Sequence, residues 1–165
     1  MDLQAFLQRF LFAIDKATRT EYAMLEGLAR YILELSLLDY TMLAWRPSTV
    51  AASAVLLARA ILMHIMSESL RPGMQCAHHC AWTATQEHYC FHTVDELQEC
   101  TCKLHRALLA ASQARHGKTS AVHCKYAAQR KRCISTLPVP EHLPAQIFER
   151  YAFFPVPANE VVKGC

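Results

Sequence analysis

The residues best suited to chemistry lie close together: Cys76, His78, His79 and Cys80, followed by Cys90 and His92. Thiolates and imidazoles are the ligands zinc takes, four in a tetrahedron for a structural site, and a loop can fold around the ion. The run from Cys76 to Cys80 is not by itself an established site, and the remaining ligands would have to come from Cys90 or His92. The segment is aperiodic, so the plainer expectation is an inserted loop that holds no metal ion. Cys100 and Cys102 stand two apart on a helical pattern and point to different sides. They cannot chelate together and are expected to pack.

Nucleophilic catalysis has eight cysteines and nine histidines to draw on, so a chance Cys–His pair carries little weight. No candidate nucleophile sits on a sharp turn or beside a glycine-rich oxyanion motif, and no catalytic residue is assigned. Neither G-x-G-x-x-G nor G-x-x-x-x-G-K occurs, which excludes a glycine-rich phosphate loop, and no cofactor is expected. Lys125, Arg130, Lys131 and Arg132, with Arg115 and Lys118 nearby, form a basic concentration. A solvated helix face and end is expected there, where cations also suit the helix dipole. A nuclear-import patch or a surface for an acidic partner are the sharper alternatives. The net charge of +3 is too small to call for nucleic acid.

A chain of 165 residues that is 53% apolar and 19% charged can bury a core and is not disordered. Its 4 glycines would supply few of the turns an all-β protein needs, so an all-α single domain is expected. Cysteine, at about 5%, is below the density of a disulfide scaffold. Residues 1–15 lack the basic-then-apolar order of a secretory signal. Free thiols in a reducing compartment follow. The apolar stretch from Val50 to Met66 is at the lower length limit for a bilayer span, with Arg59 near its centre. An arginine there costs roughly 2.5–3.5 kcal/mol, and alanine-rich neighbours offset little of it. The stretch is expected to be the central helix of a bundle, not a membrane span.

Leu3, Phe6, Leu7, Phe10, Leu11 and Ile14 repeat at helical spacing, with Asp2 placed to cap them. Residues 15–20 form a polar connection. From Glu21 to Leu38 a second helix shows one narrow solvent edge, where Glu26, Arg30 and Glu34 lie four apart. Pro47 can open the third helix as its first residue. Residues 67–81, with Pro72 and Gly73, read as a loop. A short helix is expected from about Trp82 to Tyr89. Thr93 and Glu96 form a capping box for a longer one, whose inner face is Val94, Leu97, Cys100, Leu104, Leu108 and Ala111. A last short helix runs from about Ser120 to Ala128, and Pro138, Pro140 and Pro144 then end regular packing. Met42, Trp45 and Met63 are expected in the core.

The order and wording of these segments resemble the C-terminal fold of the cyclins. Leu28 to Tyr40 resembles that fold's second helix, and Pro47 to Arg59 its alanine-rich third. Trp82 to Tyr89 is similar to the family's Trp…Thr-Leu…His-Tyr segment, with Gln86 where leucine is usual and His88 as a packing residue at a helix junction. Phe6 to Phe10 resembles the entry helix, Ala121 to Tyr126 the closing helix, and Ile134 to Leu137 a strand-like end. The wording is closest to mitotic, A-type, plant-like cyclins. The resemblance covers about residues 2–140, leaving 141–165 as an irregular tail.

What the resemblance implies is a five-helix bundle that is regulatory rather than enzymatic. It would be associated with a cyclin-dependent protein kinase and cell-cycle control, in the nucleus or cytoplasm, without nucleic acid, membrane, metal or cofactor. Two departures stand out. The 67–81 loop is longer than the family's and carries the Cys/His cluster. Family cyclins also have a preceding N-terminal cyclin fold that supplies most of the kinase contact, and this sequence starts without one. No partner-binding residue can therefore be carried over, and a truncated cyclin without activity of its own is the alternative. A metal-binding protein built on residues 76–92 is a third.

Overall fold

The computed structural model describes residues 3–14, 19–69, 81–113, 120–128, 131–143 and 145–148. Among them are six α-helices: α1 (Leu3–Phe12), α2 (Arg19–Ser36), α3 (Pro47–Ser69), α4 (Ala84–Cys90), α5 (Val94–Gln113) and α6 (Ser120–Ala127). Three 3-10 turns cover Tyr40–Ala44, Ile134–Thr136 and Ala145–Phe148, and no strand occurs among the described residues. The expected all-α bundle is what forms.

Helix α3 is its axis and packs against α1, α2 and α5. Every residue from Ala51 to Ala58 is buried, including Ser53, whose Oγ donates to the Leu97 carbonyl of α5 at 3.4 Å. A helix buried on all sides needs protein neighbours on all sides, and the alanines let them approach. Pro47–Ser67 is long and apolar enough to cross a membrane, yet 61% of its most apolar window is buried inside the bundle. From α1, Leu7, Phe10 and Leu11 enter the core, and the Phe6 and Phe10 rings lie 5.9 Å apart. Met42 is buried, and Trp45 and Met63 are half-buried against the core.

Helix α2 stops two residues before its apolar run does. The Ser36 hydroxyl turns back to the Leu33 carbonyl at 2.7 Å, competing with continuation of the helix. Asp39 then caps the 3-10 turn, accepting from the Thr41 amide at 2.9 Å and its hydroxyl at 2.7 Å. Leu37 and Leu38 are thereby left exposed. Gly27 sits mid-helix because the Ile134 turn presses on it. A Cβ there would meet Ile134 Cγ1 at 3.1 Å.

The Thr93–Glu96 box is formed in both directions, at 3.1 and 3.4 Å. A second box, Thr83 with Gln86, starts α4, so this helix runs from Ala84 rather than Trp82. Trp82 is instead a buried anchor whose Nε1 donates to the His92 carbonyl at 3.0 Å. At the end of the bundle, Ile134–Thr136 forms a 3-10 turn where the family resemblance suggested a strand-like end. Ile147 is buried and its turn, residues 145–148, packs on α5. Residues 149–165 lie outside the described residues, as do Asp2 and residues 15–18.

Candidate partner-binding surface

The residues that drew attention as chemistry separate in space. Cys76, His78, His79 and Cys80 lie outside the described residues. Cys90, one of the two groups that would complete a quartet with them, is buried at the end of α4, and burial pushes its thiol up to about 12. His92 leans on Glu96, with Nδ1 3.7 Å from the carboxylate. Among the described residues no three His, Cys, Asp or Glu side chains could share a metal ion. Cys100 is fully buried and Cys102 half-buried, as packing residues would be.

The basic run is also divided. Lys125 reaches across to α2 and donates to both Glu34 oxygens, at 2.7 and 2.8 Å. The Tyr126 hydroxyl donates to the same carboxylate at 2.7 Å. Burial alone would raise the Glu34 carboxyl. The hydrogen bonds from Lys125 and Tyr126, with the charges of Lys125 and Lys131, outweigh it and hold the group below the usual carboxylate range. Glu34 thus joins α2 to α6 instead of continuing the Glu26–Arg30 pair, which closes at 2.7 Å on its own. Lys131 and Arg132 are exposed, and Arg115, Lys118 and Arg130 lie outside the described residues.

His88 was expected inside a helix junction but is exposed, its ring 5.5 Å from that of Tyr89 and 6.4 Å from that of Phe91. The buried member of that segment is Gln86, at 0% exposure. Its Oε1 accepts from Arg59 Nη1 and from the Thr83 amide, the latter at 3.0 Å. This gives the arginine in the apolar centre of α3 a protein partner across the α3–α4 contact. An amide at position 86 can serve both the cap and the arginine, and a leucine could serve neither.

Two surface features remain for a partner. Leu37, Tyr40 and Leu43 project from the turn between α2 and α3 at 70%, 86% and 72% exposure. On another part of the surface, α1, the start of α3 and α4 with its following turn enclose a cleft of about 270 Å³. Its aromatic lining comes from Phe6, Phe10, Tyr89 and Phe91, and its charged lining from Arg9 and Arg46. Phe91 closes α4 in the left-handed region (φ 56°, ψ 34°), with its ring largely exposed on the rim. Neither feature stood out in the sequence. The one local signal in the sequence is a bulky residue, Phe91, at a helix end where glycine is favoured.

The family model for the cyclin C-terminal domain matches residues 4–140. The chain is 33% identical over 144 residues to putative cyclin-A3-1 of Arabidopsis thaliana, covering 87% of this chain and 36% of that protein. It is 35% identical over 146 residues to cyclin-A1-1 of the same plant (88% and 28%). It is likewise 35% identical over 138 residues to cyclin-A2-1 of Oryza sativa subsp. japonica (84% and 25%). The chain therefore spans about a quarter to a third of the length of these relatives. With the helix order, the alanine-rich axis and a family match over most of its length, this chain belongs to the cyclin family as a C-terminal cyclin domain.

Proposed function

We propose that the chain is a non-enzymatic regulatory module that associates with a cyclin-dependent protein kinase in cell-cycle control, in the nucleus or cytoplasm. The match of residues 4–140 to the cyclin C-terminal domain carries this reading. The exposed side chains of Leu37, Tyr40 and Leu43 support a binding role, since a monomer gains nothing by presenting them to water.

By the family resemblance, kinase activation depends chiefly on the N-terminal cyclin fold. A stable interface of that kind buries on the order of 1,200–2,000 Å². The 165-residue chain by itself offers only the C-terminal share, and ordering costs on association consume much of the gain. Weak binding without activation is the expected behaviour. The test adds excess chain to a monomeric cyclin-dependent kinase, measures association by surface plasmon resonance and follows histone phosphorylation. Saturable binding without stimulation supports the proposal. No association at any attainable concentration overturns the partner-binding role, and stimulation close to that of a two-fold cyclin overturns the division of labour.

A further inference from the structure

The cleft between α1 and α4 has features that the packing of the bundle does not explain. Arg9 and Arg46 both line it, from different elements, and neither makes an ion pair among the described residues. The thiol of Cys90 lies near Arg9 but stays neutral, because burial pushes it up to about 12 against the arginine's opposite pull. It therefore does not neutralise the guanidinium. Phe6, Tyr89 and Phe91 line the same cleft as the two cations.

Phe91 gives an independent indication. A non-glycine residue in the left-handed region costs on the order of 1–2 kcal/mol. A structure recovers such a cost readily when the side chain is buried in return, but Phe91 is 76% exposed. Its ring stands on the cleft rim, where an occupant would bury it. Backbone strain of this kind concentrates at ligand clamps.

The dimensions limit the occupant. A space of about 270 Å³ holds one large side chain rather than a cofactor. Aromatic walls favour a ring, by edge-to-face or offset contact. Two guanidiniums favour carboxylates, which they hold through paired donors. We propose that this cleft binds a short acidic peptide segment, inserting one aromatic side chain between Phe6, Tyr89 and Phe91 while Arg9 and Arg46 hold the flanking carboxylates. The charge complementarity selects the segment, and the aromatic walls fix its register. The proposal deepens the regulatory role above by stating the chemistry of one partner segment, but its test uses no kinase. Failure of kinase association with intact peptide binding, or the reverse, separates the two.

The probe is a fluorescein-labelled, N-acetylated pentapeptide with a central phenylalanine and two glutamates on each side, titrated with the full chain and read by anisotropy. Replacing the central residue by alanine, or the glutamates by lysines, should each weaken binding at least about tenfold. Arg9→Ala and Arg46→Ala should each weaken it about fivefold, and the double variant about 25-fold. Arg106→Ala, at an exposed site on α5 away from the cleft, should change nothing. All three arginines are exposed, so melting curves should be unchanged. Binding should also shift the indole N–H resonance of Trp82, whose acceptor is the carbonyl of the lining residue His92. No binding of the acidic peptide, equal binding of the lysine peptide, or full binding by the Arg9→Ala/Arg46→Ala variant would overturn the proposal.

Discussion

Glu34 tests how the last helix is held to the bundle. Its carboxylate receives the Lys125 ammonium and the Tyr126 hydroxyl, both from α6. The two contributions differ in size because their surroundings differ. Lys125 is 46% exposed in its side chain, so its ion pair contributes at most about 1 kcal/mol. Tyr126 is buried at 2% exposure, with its ring 5.1 Å from that of Tyr31, and losing its acceptor strands a hydroxyl away from water. Stranding it costs about 1–3 kcal/mol. Glu34→Ala should therefore cost about 2–3 kcal/mol out of a total of about 5–15. In thermal melts followed by circular dichroism this is a fall of roughly 5–10 °C. Glu34→Gln keeps an acceptor for Tyr126 and should cost about 1 kcal/mol.

A double-mutant cycle separates the partners. Glu34→Ala with Tyr126→Phe should show a coupling of about 1 kcal/mol or more, and Glu34→Ala with Lys125→Met clearly less. If the lysine coupling equals or exceeds the tyrosine coupling, the claim that burial decides the strength of this junction is wrong. The pH dependence has a fixed sign. The folded carboxyl titrates below its ordinary value of 4.5, so its contribution is complete above 4.5 and is lost as pH falls through the folded value. Wild type and Glu34→Gln should converge in stability at the acid end.

Ala54→Asp should place a charge where exposure is 0% and cost several kcal/mol, whereas Ala110→Asp on the exposed face of α5 should stay within about 0.5 kcal/mol. Equal melting temperatures would contradict the central position of α3. His105 is held with Nε2 donating to the Pro140 carbonyl at 2.8 Å. Burial lowers its pKa against that hydrogen bond, with a further push from His142. Its stabilising effect is thus full above the ordinary value of 6.5 and lost as pH falls below it, since the unfolded chain takes up the proton first. His105→Asn should flatten the melting temperature between pH 6.5 and 5, and an unchanged slope would refute this.

The bundle was readable because helices announce themselves through short-range repeats. The stripe from Leu3 to Leu11, the proline opening α3 and the Thr93–Glu96 box each lie within a few residues. What escaped depended on long-range partners. Glu34 sits in a perfect i,i+4 series with Arg30, yet its ligands are 91 and 92 residues away. Helix α2 looked two residues longer because Leu37 and Leu38 continue its apolar run, and only the competing hydroxyl of Ser36 and the cap at Asp39 end it. His88, expected to pack at a helix junction, is exposed, and Gln86 is the buried residue of that segment. What buries the glutamine is a partner on another helix, Arg59, 27 residues away.

The same distinction explains why the α1–α4 cleft was invisible. Arg9, Arg46 and Phe91 are spread across 83 positions, and each has an ordinary local account: a helix edge, the residue before a proline, a turn. Only the fold shows that two guanidiniums without ion pairs among the described residues line the same aromatic cleft. Arg59 shows the contrast. It is also an arginine among apolar residues, but it is answered from within the bundle by the Gln86 Oε1, which also accepts from the Thr83 amide of the cap. A charged group answered internally stabilises the fold, and one left unanswered beside an exposed, strained aromatic ring is available to a partner. By that criterion Arg59 belongs to the architecture of this cyclin domain, and Arg9 and Arg46 belong to its recognition surface.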